Sequence, residues 1–152
     1  MLLAACAGSS AGPAGSATVE RVVDGDTVVV RLHGRHETVR LLGIDTPETV
    51  KPGAPVECYG PEASSHLKAL LPPGAVVRVE RDVEVRDRFG RLLLYLFRRR
   101  DGAFVNELQA SGGFARPLHI APNRARAPTI DAAATTARSE GRGLWGACDE
   151  ER

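Results

Sequence analysis

Two glycine turns, Asp24-Gly25-Asp26 and His33-Gly34-Arg35, leave room between them for one short element, and its residues alternate. Val28, Val30 and Leu32 fall on one side, with Val29, Arg31 and His33 on the other. That period of two is the signature of a half-buried strand between turns. The β pattern starts at Thr18, and a third strand, Thr38 to Ile44, stops before Pro47. Gly60-Pro61-Glu62 opens a helix, with proline where its missing N–H costs nothing. Ala63, Leu67, Leu70 and Leu71 mark its apolar face, and Pro72-Pro73-Gly74 stops it. Val76 to Arg81 and Leu92 to Phe97 complete five strands. A short helix spans Phe104 to Ser111, and Ile130, Ala133, Ala134 and Ala137 form the stripe of a last one. Five strands with helices between and after them imply a mainly β fold with added α structure, closed into a small barrel.

The first sixteen residues, MLLAACAGSSAGPAGS, cannot bury enough surface to offset their ordering entropy. They read as an unstructured tail (1–16), which leaves 17–148 for the domain. Within the tail, Leu3-Ala4-Ala5-Cys6 resembles a bacterial lipobox, with Cys6 as the lipidated residue and the following run as a membrane tether. A chance match of small residues is the competing reading. No stretch approaches the ~18 apolar residues of a membrane helix. The formal net charge of +1 excludes a polybasic protein that holds phosphates by bulk attraction. Nucleic-acid chemistry would need a few placed charges. The basic residues are 18 Arg and two Lys, a bias towards the bidentate phosphate binder that a GC-rich genome also produces.

Three cysteines, Cys6, Cys58 and Cys148, form no C-x-x-C pair, and the four histidines are scattered, which argues against zinc. With Cys6 lipidated, Cys58 and Cys148 remain as an even pair. In an extracytoplasmic protein that pair reads as a disulfide, the alternative being two buried thiols.

The acids and arginines carry the candidate chemistry. If the second and third strands form a hairpin, Asp26 at the start of one lies near Asp45 at the end of the other. Two carboxylates held together need a cation between them, and all-oxygen donors suit Ca²⁺ or Mg²⁺. Arg40 lies on the third strand, sharing its side with Leu42 and Ile44, and Arg91 follows a tight turn at Asp87-Arg88-Phe89-Gly90. Two guanidiniums and a dication around one point would clamp a phosphodiester. Internal Arg–carboxylate bridges and an ordinary Asp-Gly turn remain the competing readings of the same residues.

The ordered set Asp24-Gly25-Asp26-Thr27, Arg40-Leu41-Leu42-Gly43-Ile44-Asp45-Thr46-Pro47-Glu48, Tyr59-Gly60-Pro61-Glu62-Ala63-Ser64, Asp87-Arg88-Phe89-Gly90-Arg91, Val105-Asn106-Glu107 and Gly143-Leu144-Trp145 resembles the staphylococcal nuclease family from about Thr18 to Trp145. The resemblance implies a five-stranded OB-fold barrel with three helices and a monomeric hydrolase cutting DNA and RNA to 3′-phosphates. It implies that Asp26, Asp45 and the Thr46 carbonyl bind Ca²⁺, that Glu48 acts on the attacking water, and that Arg40 and Arg91 grip the phosphate. Arg88 matches a basic residue beside the nucleotide's terminal phosphate. Three positions depart from the family: Phe89 replaces a tyrosine there, and Leu118 and Ile120 stand where tyrosines flank the nucleotide. Weaker base binding is expected, because stacking contributes roughly 1–3 kcal/mol per base. The expected setting is outside the cytoplasm of a bacterium, secreted or tethered. A non-catalytic OB module binding nucleic acid or protein is the rival reading.

Overall fold

The computed structural model describes residues 15–149. Five strands close into a barrel: β1 (Ser16–Asp24), β2 (Thr27–Leu32), β3 (Arg35–Leu41), β5 (Val76–Arg86) and β6 (Leu92–Arg98), ordered β1-β2-β3-β6-β5. Closure comes from β5 pairing back onto β1, Ser16 against Arg78. All ladders are antiparallel except β3 with β6, so the barrel is mixed. Its interior holds the inward residues the alternation marks: Val28, Val30 and Val39 are fully buried, as are Leu41, Leu94 and Leu96. Closing the sheet leaves no free edge among these strands to template aggregation.

Three helices cover the barrel: α1 (Gly60–Leu70), α2 (Val105–Ser111) and α3 (Ala127–Ser139), followed by a single turn, α4 (Leu144–Ala147). Ala63, Leu67 and Leu71 are buried as their spacing predicts, with Leu70 packed at the edge, and Ile130, Ala134 and Ala137 seat α3. Among the described residues no helix is long and apolar enough to cross a membrane.

Two strands differ from expectation. The segment Thr38 to Ile44 is not one strand: β3 ends at Leu41, and a separate β4 (Gly43–Asp45) pairs with β7 (Arg116–Leu118) in a second, two-stranded sheet. Gly43 makes the break, at φ +81°, where a Cβ would also come within 2.5 Å of Ile130. The buried Asn106 side chain bonds the Leu42 carbonyl at this break, at 2.8 Å, and accepts the Leu96 N–H at 3.0 Å. The fifth strand in space, β5, runs on from Arg81 to Arg86, and its ladder to β6 is interrupted between those residues. The extension forms an exposed arm along the barrel's rim, and Arg86 rejoins β6 opposite Leu92. The arm buries little, so the hydrophobic pattern gives no sign of it, and Val83 is 67% exposed.

Candidate active site

The β2–β3 register sets Thr27 opposite Arg40, which places Asp26 at the hairpin's open end beside the arginine. Asp26 is buried. Its Oδ1 accepts the Thr27 hydroxyl at 2.9 Å and its Oδ2 accepts the Thr46 N–H at 3.1 Å. Gly25 is required by close approach: a Cβ there would lie 2.7 Å from the buried, unpartnered Thr46 hydroxyl. The Gln109 side chain reaches from α2 to donate to the Gly25 carbonyl at 2.7 Å, fixing the turn that carries Asp26.

Arg40 joins the two strand ends. Its guanidinium lies 3.2 Å from Asp26 and 3.0 Å from Asp45, and donates to the carbonyls of Leu41 and Ile44 at 2.7 and 2.8 Å. The side chain is 15% exposed, so these four acceptors, rather than apolar neighbours, answer its charge. Asp45 remains short of positive charge even so. Partial loss of surrounding water pushes its carboxyl above the usual range, although the side chain is 56% exposed, and Asp26, Glu57 and Glu48 push the same way against Arg40.

Glu48 sits three residues past Asp45 in a loop that its own carboxylate organises. Its Oε1 accepts the N–H groups of Thr49, Val50 and Lys51 at 3.0, 2.8 and 3.1 Å. These bonds, Val50's first, hold Glu48 below the usual carboxylate range, so it is ionised at neutral pH. Asp24 does the opposite: burial pushes it up, although the Thr49 hydroxyl donates to it at 2.7 Å. The two neighbouring carboxyls push each other apart, Asp24 upward and Glu48 downward.

Arg91 arrives from the other side. The parallel β3–β6 ladder sets Arg40 opposite Leu93, and Arg91 precedes Leu93 by two residues, on the same face. Arg91 donates through Nε to Asp87 at 2.7 Å, and the Asp87 carboxylate also accepts the Phe89 and Arg91 backbone N–H groups. Both arginines therefore have internal carboxylate partners, and both line one cavity of about 500 Å³. Arg88, Phe89, Leu118 and Ile120 line that cavity too. Phe89 is 68% exposed and Ile120 63%, so the mouth is walled by exposed apolar side chains.

Cys58 and Cys148 are joined in a disulfide across a sequence separation of 90. Cys6 lies outside the described residues. Among the functional neighbours, Gln109 and Glu57 gave no sign in the sequence, because their partners are revealed only by the folded chain; Asp87 was visible as part of the turn before Arg91.

The donor set fits a hard divalent cation. Asp26 and Asp45 supply carboxylate oxygens, Thr46 adds a backbone carbonyl, and the acids around Asp45 outnumber the one arginine. Among the described residues no three carboxylate, imidazole or thiol side chains form a complete cage, so water or substrate oxygens would have to fill the remaining positions.

The sequence pattern described as "Staphylococcal nuclease homologue" matches residues 38–147. A thermonuclease of Staphylococcus hyicus is 39% identical over 127 residues, covering 84% of this chain and 73% of the relative. A thermonuclease of Staphylococcus intermedius is also 39% identical, covering 84% and 74%. An SPbeta prophage-derived endonuclease of Bacillus subtilis is 38% identical over 129 residues, but the match spans only 43% of its length. With most of the chain aligned and the barrel in place, the protein belongs to the staphylococcal nuclease family.

Proposed function

We propose that the protein is a Ca²⁺-dependent phosphodiesterase that cuts DNA and RNA with little sequence preference and leaves 3′-phosphates. One observation carries this reading: Arg40 bridges Asp26 and Asp45 at a cavity that Arg91 also lines. Simple strand binding needs no paired acids at that point, whereas metal-assisted phosphodiester hydrolysis does. The endonuclease and thermonuclease relatives support it.

Asp26, Asp45 and the Thr46 carbonyl would hold the Ca²⁺, which when bound supplies positive charge to the phosphoryl oxygens. Arg40 and Arg91 donate charge-assisted hydrogen bonds to the same phosphate, strongest as negative charge builds in the transition state. Glu48, ionised at neutral pH, accepts a proton from the attacking water. The apolar walls formed by Phe89, Leu118 and Ile120 contact bases without aromatic flanks on both sides, which suits weak, sequence-tolerant binding. The disulfide supports a setting outside the reducing cytoplasm. Lipidation at Cys6 would tether the enzyme there.

Plasmid and RNA degradation with Ca²⁺ against chelator, run beside Glu48→Gln, tests the reading. Metal-dependent cutting is expected, falling about 10²–10⁴-fold in the variant. The alternative, a binding module without catalysis, draws on the internal pairing of both arginines. Retention of DNA by both forms without cutting would establish it.

A further inference from the structure

One acid near Asp45 has no role in the mechanism. Glu57 stands nine residues after Glu48, at the far end of a loop whose residues 50–56 are exposed. The two glutamates bond each other reciprocally. The Glu57 N–H donates to the Glu48 carbonyl at 2.9 Å, and the Glu48 N–H donates to Glu57 Oε2 at 2.8 Å. The Glu48 side chain is already fixed inside this loop by three amides, so closing the loop also aims the carboxylate.

The next residue makes the clasp more than local. Cys58 is bridged to Cys148, directly after α4. That turn is seated by the buried Leu144, whose N–H donates to the Gly113 carbonyl at 2.8 Å. On the other side Gly60, at the start of α1, packs so closely that a Cβ would lie 2.6 Å from Thr49 and 3.2 Å from the Glu48 carbonyl. An exposed loop is thus held at its closing end by a charge-assisted hydrogen bond, a disulfide and a helix start.

We propose that Glu57 is a positioning residue for Glu48, acting through this reciprocal pair of hydrogen bonds, and that the Cys58–Cys148 bridge fixes the pair to the C-terminal turn. The proposal rests on Glu48 acting on the attacking water. Positioning matters at this scale because misplacing a reacting group by 1 Å can cost about 10²-fold in rate.

The test is steady-state hydrolysis of single-stranded DNA with Ca²⁺ by the full chain, comparing Glu57→Ala, Glu57→Gln, Glu48→Gln, the Glu48→Gln/Glu57→Ala double variant and Cys58→Ser/Cys148→Ser. Glu57→Ala is expected to lower kcat about tenfold with KM within about twofold. Glu57→Gln should recover most of that loss, since its amide oxygen still accepts the Glu48 N–H. In the Glu48→Gln background Glu57→Ala should add nothing. The double serine variant, assayed well below its own Tm, should lose about threefold in kcat. A Glu57→Ala protein with normal kcat, a change confined to KM, or an undiminished further loss on Glu48→Gln would overturn the positioning role. Full kcat in the serine variant would overturn the part played by the bridge. If Glu48→Gln itself keeps full activity, the base assignment fails instead, a result separable from all of these.

Discussion

The two arginines lining the cavity are held in opposite ways. Arg40 has four acceptors, two carboxylates and two carbonyls, drawn from three segments of chain. Arg91 has one carboxylate partner, four residues away on its own turn, and its side chain is twice as exposed, at 31% against 15%. Around Arg40 the backbone is locked by buried polar side chains, Asn106 at the strand break and Gln109 at the Asp26 turn. Around Arg91 lie an extended arm and the exposed Phe89, Leu118 and Ile120. The end that would hold the metal is over-determined by hydrogen bonds; the end that would receive the nucleotide is left open and apolar. Substitutions at the first are expected to alter fold and chemistry together, whereas those at the second should alter activity or substrate binding with little effect on the fold.

Arg40→Ala should have the largest effect. It leaves Asp26 and Asp45 facing each other without the cation, and is expected to lower stability by about 2 kcal/mol, the exposed Asp45 softening the usual cost of stranding a buried partner. Nuclease activity should fall by about 10³-fold or more. Urea denaturation and a plasmid assay measure the two losses. Arg91→Ala should lose about 10²-fold in activity but under about 1 kcal/mol in stability, because its single ion pair is local to one turn and partly open to solvent. Equal destabilisation by the two variants would break the contrast drawn above. Converting Leu118 and Ile120 to tyrosine should sharpen it, tightening nucleotide binding by about tenfold in a fluorescence titration without changing the Tm by more than a degree or two.

The smallest effect lies at the base of the arm, where Arg126 donates to Glu80 through Nε and Nη2 at 2.8 and 2.7 Å. The Arg126 fork holds the Glu80 carboxyl below its ordinary value. Folded Glu80 therefore binds its proton less tightly than unfolded Glu80. The resulting stabilisation is complete above the unfolded value and disappears as pH falls through the folded one. Glu80→Gln should flatten the acid limb of the stability profile by about 0.5 kcal/mol, measured by denaturation between neutral and acid pH.

The parts legible in the sequence were those written in short-range patterns. Alternation at Val28, Val30 and Leu32 gave β2, and the hairpin it implies brought Asp26 towards Asp45. Cysteine arithmetic pointed to the pairing of Cys58 with Cys148. Gly43 lay inside a run read as one strand; an isolated glycine there hints at a bulge, but nothing in the run shows which strand the freed segment will pair with. Its partner β7 is only three residues long and contains Pro117, too short and irregular for any periodicity. Asn106 and Gln109 sit on a helix whose sequence shows only that they face inward or outward, not which carbonyl they reach. The roles proposed for the acids come from the ordered family motifs; Glu57, outside those motifs, became visible only through its bonds to Glu48.

The disulfide has a consequence for survival among proteases. A single cut anywhere between Tyr59 and Ala147 leaves both fragments in one covalent molecule, free to close again around the nick. The exposed turns at Gly90, Gly102 and Gly141 all fall inside that protected ring. The exposed stretch 50–56 falls outside it, and a cut there would leave the segment bearing Asp26, Arg40, Asp45 and Glu48 held to the rest of the enzyme by strand pairing and packing alone.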